Sequence, residues 1–398
     1  METIKDLFAK IQPLRVILIV YLFIYISLGI NTELHYIEKH PLQDSLLADY
    51  NVYKQAVKAA INGEDPYAQE FRYFPPALLV IEFFYHIPNP NEFLQASIYL
   101  SVNLFLLFII AYGIANHYSY KLSEVWYWLP LIFFFGPVLE GLHVGQINVI
   151  TEFGVLLVLI ANSTFPILAG LGLSLAIITK LTPAVFLLYL FSTRSLRAVM
   201  VTVISLIALI LYTGFRYGFD LYPMFFTTFG NMLQNFHTSL NSQSLFSKLI
   251  TNQLLPDSIA VHPSAFQRIL SVYFGCMFLI SSILAFVNKQ TEPLFIILGI
   301  GSMLAPNWMW YHHYTFFIVP ILMWIAWSRQ NIYVLAWSLL GFLIIQIDRW
   351  YLTTGLLIHV FGHLSIIALL IGQIQKSRGA ELSAAMQELS FKLGSDAN

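Results

Sequence analysis

The chain has 398 residues, of which 58% are hydrophobic and only 10% charged, with a mean hydropathy of +0.71. That balance excludes an ordinary soluble domain and describes a polytopic membrane protein. A net charge of −1 without any basic run removes the electrostatic basis for nucleic-acid binding, and a single cysteine, Cys276, inside an apolar segment excludes disulfide and Cys-metal chemistry.

Lys5, Lys10 and Arg15 precede a first apolar run, 16–30. Asn31-Thr32-Glu33-Leu34 is a poor cleavage site, so the run reads as a retained helix, and the positive residues ahead of it place the N-terminus in the cytoplasm. Segment 31–74 then faces outward. It is the one long charged stretch, with seven acids (Glu33, Glu38, Asp44, Asp49, Glu64, Asp65, Glu70) against four bases (Lys39, Lys54, Lys58, Arg72). Within it, Val52, Ala56, Ala59 and Ala60 keep a helical spacing from Asp49 until Asn62-Gly63 ends it, and Asp65-Pro66-Tyr67 makes a turn. Phe74-Pro75-Pro76 returns the chain to the bilayer with proline at a helix start.

Apolar runs recur from 76 to 373, among them 76–88, 125–139, 144–162, 165–179, 182–192 and 313–327. They predict about twelve membrane helices, eleven to thirteen, in one all-α integral-membrane domain covering 1–398. Runs too short to span a bilayer are tolerated where they line an enclosed cavity, so a cavity within the bundle is expected. A second polar segment, 216–265, is rich in Asn, Gln, Ser and Thr, which suits either hydroxyl-rich ligands or a solvated loop. The tail 375–398 is polar and is assigned no function.

Four local patterns interrupt the apolar background. They are Asp49-x-x-x-Tyr53 with Gly63-x-x-Pro66-Tyr67 and Phe74-Pro75-Pro76; Gly145-Gln146-Ile147-Asn148; Lys180-Leu181-Thr182-Pro183 with Gln243-Ser244-Leu245; and His312-His313-Tyr314. Each residue has a plain structural use as well. Asp49 could cap the helix that follows it, intramembrane amides such as Gln146 and Asn148 commonly bind neighbouring helices, and basic side chains such as Arg72, Lys180 and Arg349 near helix ends snorkel. His312 and His313 could sit in an aromatic belt with Trp308, Trp310 and Tyr311; as adjacent residues they lack the i, i+4 spacing of a helical metal chelate. On an α-helix the two rings would point about 100° apart.

In their order and spacing, from about residue 45 to 320, these motifs resemble glycosyltransferase family 87. These are polytopic enzymes of the GT-C class that include the mannosyltransferases of mycobacterial phosphatidylinositol-mannoside synthesis. Tyr73-Phe74-Pro75-Pro76 replaces the family's usual aromatic-Tyr-Pro-Pro, Leu181 stands where a proline is frequent, and Ser242 separates Asn241 from Gln243.

The resemblance implies an inverting transferase that moves a hexose, with mannose first, from a polyprenyl-phosphate-sugar donor to a hydroxyl of a lipid or glycan acceptor. Its site would face outward from a bacterial cytoplasmic membrane. It implies no nucleotide, no cofactor and no metal, in keeping with the lack of a Gly-rich phosphate loop and of a D-x-D pair. Asp49 would be the base that takes the acceptor proton, with Asp44 its nearest rival. His312 or His313 would face the donor phosphate, with Lys180 and Arg72 as further partners, and Tyr53, Tyr67, Gln146, Asn148 and Gln243 would line the substrate path. Two other classes compete. A flippase or transporter of a lipid-linked saccharide predicts internal repeats and mid-membrane charge, and a surface-polysaccharide polymerase or ligase predicts a large outer loop late in the chain.

Overall fold

In the computed structural model, residues 4–39, 46–85, 92–234, 249, 263–305, 310–348 and 355–395 are described. Among them the regular structure is entirely helical. The helices are α1 (Ile4–Lys39), α2 (Ala48–Ile61), α3 (Ala77–Tyr85), α4 (Glu92–His117), α5 (Trp128–Phe133), α6 (Gly136–Val144), α7 (Asn148–Ala161), α8 (Pro166–Thr179), α9 (Phe186–Ser192) and α10 (Leu196–Tyr217). There follow α11 (Leu221–Gln234), α12 (Pro263–Asn288), α13 (Glu292–Leu304), α14 (Ile318–Trp327), α15 (Ile332–Asp348) and α16 (Gly355–Ser395). Short 3-10 turns occupy Pro66–Gln69, Thr182–Val185 and Tyr311–Phe317.

Among the described residues, four helical segments are long and apolar enough to cross a bilayer: Leu94–His117, Leu196–Tyr217, Arg268–Asn288 and Leu356–Lys376. Six shorter apolar helices, including Arg15–Asn31 and Asn148–Ala161, lie alongside them. The chain is therefore a polytopic membrane protein. On α10, Met200, Ile204, Ile207 and Leu211 form an exposed stripe at helical spacing, as a face meant for lipid requires. Its opposite side is built from small and hydroxylated residues: Thr202 Oγ1 donates to the Gly170 carbonyl of α8 at 3.2 Å, and Ser174 Oγ donates to the Thr202 carbonyl at 3.2 Å. Helices α7 and α8 approach more closely still. A Cβ on Gly154 would fall 2.5 Å from the Gly172 carbonyl oxygen, and Thr151 and Thr179 exchange a hydroxyl hydrogen bond at 2.8 Å. With apolar lipid as solvent, such close backbone contact and hydrogen bonding supply the association that hydrophobicity cannot.

Several boundaries differ from those the sequence predicts. Helix α1 continues through Lys39 rather than ending at 31. The 125–139 run divides into α5 and α6 because Pro137 follows Gly136 at the start of α6 and cannot donate to a preceding turn. Gln346 closes that break: its Oε1 accepts from Gly136 N at 2.7 Å, and its Nε2 donates to the Phe134 carbonyl at 3.0 Å and the Tyr25 carbonyl at 3.3 Å. The 313–327 run opens as a 3-10 turn, since the Pro320 ring clashes with an α-helical carbonyl one turn earlier. The Val319 amide there donates to the buried Glu152 carboxylate at 3.1 Å. Segment 375–395 continues the last helix.

A separate apolar cluster sits beneath the first loop. Tyr53, Ala56, Val57 and Ala60 of α2 pack on Phe71, Leu78, Tyr99 and Ile150. The 3.6-residue spacing of small and aromatic positions on α2 makes this possible, and it turns the charged first loop into a lid seated on the helices.

Candidate active site

The site begins at the junction of α6 and α7. Gly145 ends α6 with φ 77°, a left-handed conformation that suits glycine, and a Cβ there would also fall 2.6 Å from the Tyr50 Cβ of α2. Gln146 consequently leaves the helix before α7 starts, and its side chain is free of the helical ladder. Two contacts fasten the first loop to this corner, through Leu47 and Glu33, and a third, through Tyr99, fastens α4. Leu47 N donates to the His143 carbonyl at 2.7 Å, Tyr99 hydroxyl donates to the Gly145 carbonyl at 3.1 Å, and His143 Nδ1 lies 2.9 Å from Glu33 Oε1.

Asp49 lies in the first turn of α2, where a carboxylate complements the helix dipole. It does not cap the helix. The N-cap is Leu47, with φ 59° and no side-chain bond, and the Asp49 Oδ2 instead accepts from Gln146 Nε2. The other end of that amide, Oε1, lies 2.9 Å from the Tyr73 hydroxyl and 3.1 Å from the Tyr53 hydroxyl, and the two phenol oxygens are 2.7 Å apart, so with one proton each the phenols donate in two of these three contacts at a time. Burial, reinforced by the neighbouring phenols and the Asp49 charge, holds the Tyr53 hydroxyl well above its ordinary pKa; for Tyr73 burial acts first and Asp49 second. Both therefore remain protonated donors. An ionised carboxylate only accepts, so the Gln146 amide is oriented with its N–H toward Asp49 and its oxygen toward the phenols. Among the described residues Asp49 Oδ1 has no protein hydrogen bond.

Lys180 ends α8 with an extended backbone, in the gap before Thr182–Val185 and outside both apolar helices. Its Nζ stands 5.6 Å from the ring centres of both Tyr73 and Phe316. Burial draws its pKa down to about 7, and the Asp49 carboxylate opposes that shift. A cation held on two aromatic faces within electrostatic reach of one carboxylate is a fitting place for an anion.

The two histidines lie on the 3-10 turn, where successive side chains diverge by about 120° rather than 100°. His312 is buried, and its Nδ1 faces Glu140 Oε1 at 3.2 Å. Its backbone carbonyl accepts from Asn148 Nδ2 at 2.9 Å and Thr315 Oγ1 at 2.8 Å. His313 is less buried; its Nδ1 accepts from Trp310 N at 3.3 Å, and it lies within electrostatic reach of Lys180. The rings of the two stand perpendicular, 4.7 Å apart. A Cβ on Gly141 of α6 would lie 3.8 Å from the Cβ atoms of both Gln146 and His312, so this helix stands between the carboxylate side of the site and the imidazole side.

The remaining predicted residues fall in different places. Tyr67 is buried and its hydroxyl donates to the Tyr73 carbonyl at 3.1 Å, so it props the Tyr73 loop from behind. Arg72 is exposed beside Tyr73. Asp65 caps the Pro66–Gln69 turn by accepting from Tyr67 N at 2.8 Å. Asp44, Gln243 and Arg349 lie outside the described residues. Sequence reasoning passed over Glu140 and Tyr73. Glu140 carried a signal, an acid within an apolar run, which by itself marks a functional or paired position. Among the described residues no three His, Cys, Asp or Glu side chains gather as metal ligands.

The sequence model of Glycosyltransferase family 87 matches residues 71–329. The matched stretch takes in Arg72, Gln146, Asn148, Lys180, Gln243, His312 and His313, and begins after Asp49, Tyr53 and Tyr67. No curated protein matches the chain.

Proposed function

The chain belongs to glycosyltransferase family 87 and is a membrane glycosyltransferase, and from that premise we propose that it moves a hexose, with mannose first, from a polyprenyl-phosphate-sugar to a hydroxyl of a lipid or glycan acceptor at the outer face of a cytoplasmic membrane. The observation that carries this reading is the meeting of Asp49 from the first loop with Gln146 and Lys180 from the bundle. It supports a reading in which a proton acceptor and an anion-binding cation act together.

In the reaction so assigned, the acceptor oxygen attacks the anomeric carbon as the bond to the donor phosphate breaks, which inverts that carbon. Asp49 takes the acceptor proton, its carboxylate steered by the Gln146 amide. The departing lipid phosphate carries away the bonding electrons and meets Lys180 and His313. With Nδ1 accepting from Trp310 N, a neutral His313 carries its proton on Nε2 and presents a donor. Tyr53 and Tyr73 keep the amide in register. No resident cofactor enters the scheme.

Purified protein incubated with radiolabelled polyprenyl-phosphate-mannose and a membrane lipid extract should yield a labelled glycolipid or glycan. A labelled product from polyprenyl-phosphate-glucose alone would keep the reaction and replace the sugar. Product from neither donor, with nucleotide sugars active instead, would overturn the lipid-phosphate assignment.

A further inference from the structure

Two adjacent imidazoles on one turn meet opposite partners. His313 Nδ1 receives an N–H from the Trp310 backbone, so it acts as an acceptor. His312 Nδ1 faces the Glu140 carboxylate, an acceptor-only group when ionised, so it must carry the proton. Both members of the His312–Glu140 pair are nine-tenths buried, with side chains 9% exposed, and water is a poor substitute for either partner. Two bonds to the His312 carbonyl, from Asn148 and Thr315, hold the backbone under that ring. Its remaining polar atom, Nε2, is buried and without a hydrogen-bond partner among the described residues. A buried ring nitrogen left unsatisfied is costly, so such an atom points to a ligand.

We infer that the two histidines are held in opposite tautomers and divide the substrates between them: Glu140 is a positioning residue that keeps the proton on His312 Nδ1, so that Nε2 accepts a hydrogen bond from a sugar or acceptor hydroxyl. His313, with the proton on Nε2, donates to the phosphate. A pair of equivalent phosphate donors would need both Nε2 atoms protonated, which for His312 means a full imidazolium. The opposite-tautomer arrangement instead matches one acceptor to a hydroxyl and one donor to an anion, as the two ligand chemistries require. The inference rests on the glycosyl-transfer reading for the identity of the ligand, while the tautomers themselves do not depend on it.

The test has an arm for each part. Full-length protein labelled with 15N-histidine, with His312 assigned by loss of its signals in His312→Gln, should show His312 neutral with the proton on Nδ1, and Glu140→Gln should change those shifts. Both nitrogens protonated, or the proton on Nε2, would overturn the tautomer assignment whatever the enzyme transfers. In the transfer assay, Glu140→Gln should lower turnover by roughly 10–100-fold, as loss of an orienting carboxylate does for metal-bound imidazoles. Glu140→Asp should recover part of it. The double variant Glu140→Gln/His312→Ala should be no slower than His312→Ala, because Glu140 acts through that ring. Additive losses would make Glu140 a structural residue. Wild type inactive with every donor, together with the expected 15N shifts, would keep the tautomers and reject the transferase role of the pair.

Discussion

The Gln146 side chain donates to the Asp49 carboxylate across a gap of nearly a hundred positions in sequence. This contact ties the charged first loop to the α6–α7 corner, and it orients the carboxylate with a neutral hydrogen-bond donor.

Asp49→Asn should abolish transfer, with a loss of about 10²–10⁴ in turnover, while melting temperature stays near that of wild type. The amide keeps the shape and can still meet Gln146, but it cannot take a proton. Radiolabel transfer at near-normal rate by this variant would reject the base assignment and move attention to Asp44.

Gln146→Leu separates support from chemistry. It removes the amide that joins Asp49 to Tyr53 and Tyr73 and leaves two buried phenols bonded only to each other. The cost should be about 1–3 kcal/mol of stability and a fall in turnover smaller than that of Asp49→Asn, measured by thermal unfolding and initial rates. Loss of stability with full turnover would show that Asp49 needs no steering.

Lys180 should impose a pH limit. Its ammonium is lost as pH rises through about 7 in the free enzyme, so kcat/KM for the anionic donor should fall with increasing pH. Lys180→Arg stays charged throughout and should flatten that fall. Bound phosphate favours the ammonium, so kcat itself should decline at higher pH than kcat/KM. Identical profiles for wild type and Lys180→Arg would remove the lysine from phosphate binding.

Gly145→Ala should be among the most harmful of the small substitutions. The position has φ 77°, and the new Cβ would press on Tyr50. A destabilisation of about 1–3 kcal/mol is expected, read as a lower melting temperature and weaker seating of the first loop, which limited proteolysis would detect.

Topology is open to a direct test on Glu64, which is exposed in the turn after α2. Glu64→Cys in a Cys276→Ala background should react with a membrane-impermeant thiol reagent in intact spheroplasts. Reaction only after lysis would put the loop in the cytoplasm and exclude an outward-facing site.

The sequence by itself determined the solvent in which this protein lives and the kind of element it uses. Long apolar runs admit only self-satisfied backbone, and helices follow from that without reference to any partner. It also determined α2 almost to the residue, because an amphipathic spacing closed by Asn62-Gly63 is local information. The motifs carrying Asp49, Gln146, Lys180 and His312 were legible for the same reason, as polar residues that an apolar chain does not otherwise need. Their mutual arrangement was not. That Gln146 would meet Asp49 and that Glu140 would meet His312 depend on contacts between distant segments. Hydrogen bonds are directional and a few ångströms in reach, so periodicity along one helix says nothing about which side chain of another will complete them. Only the packed bundle decides that.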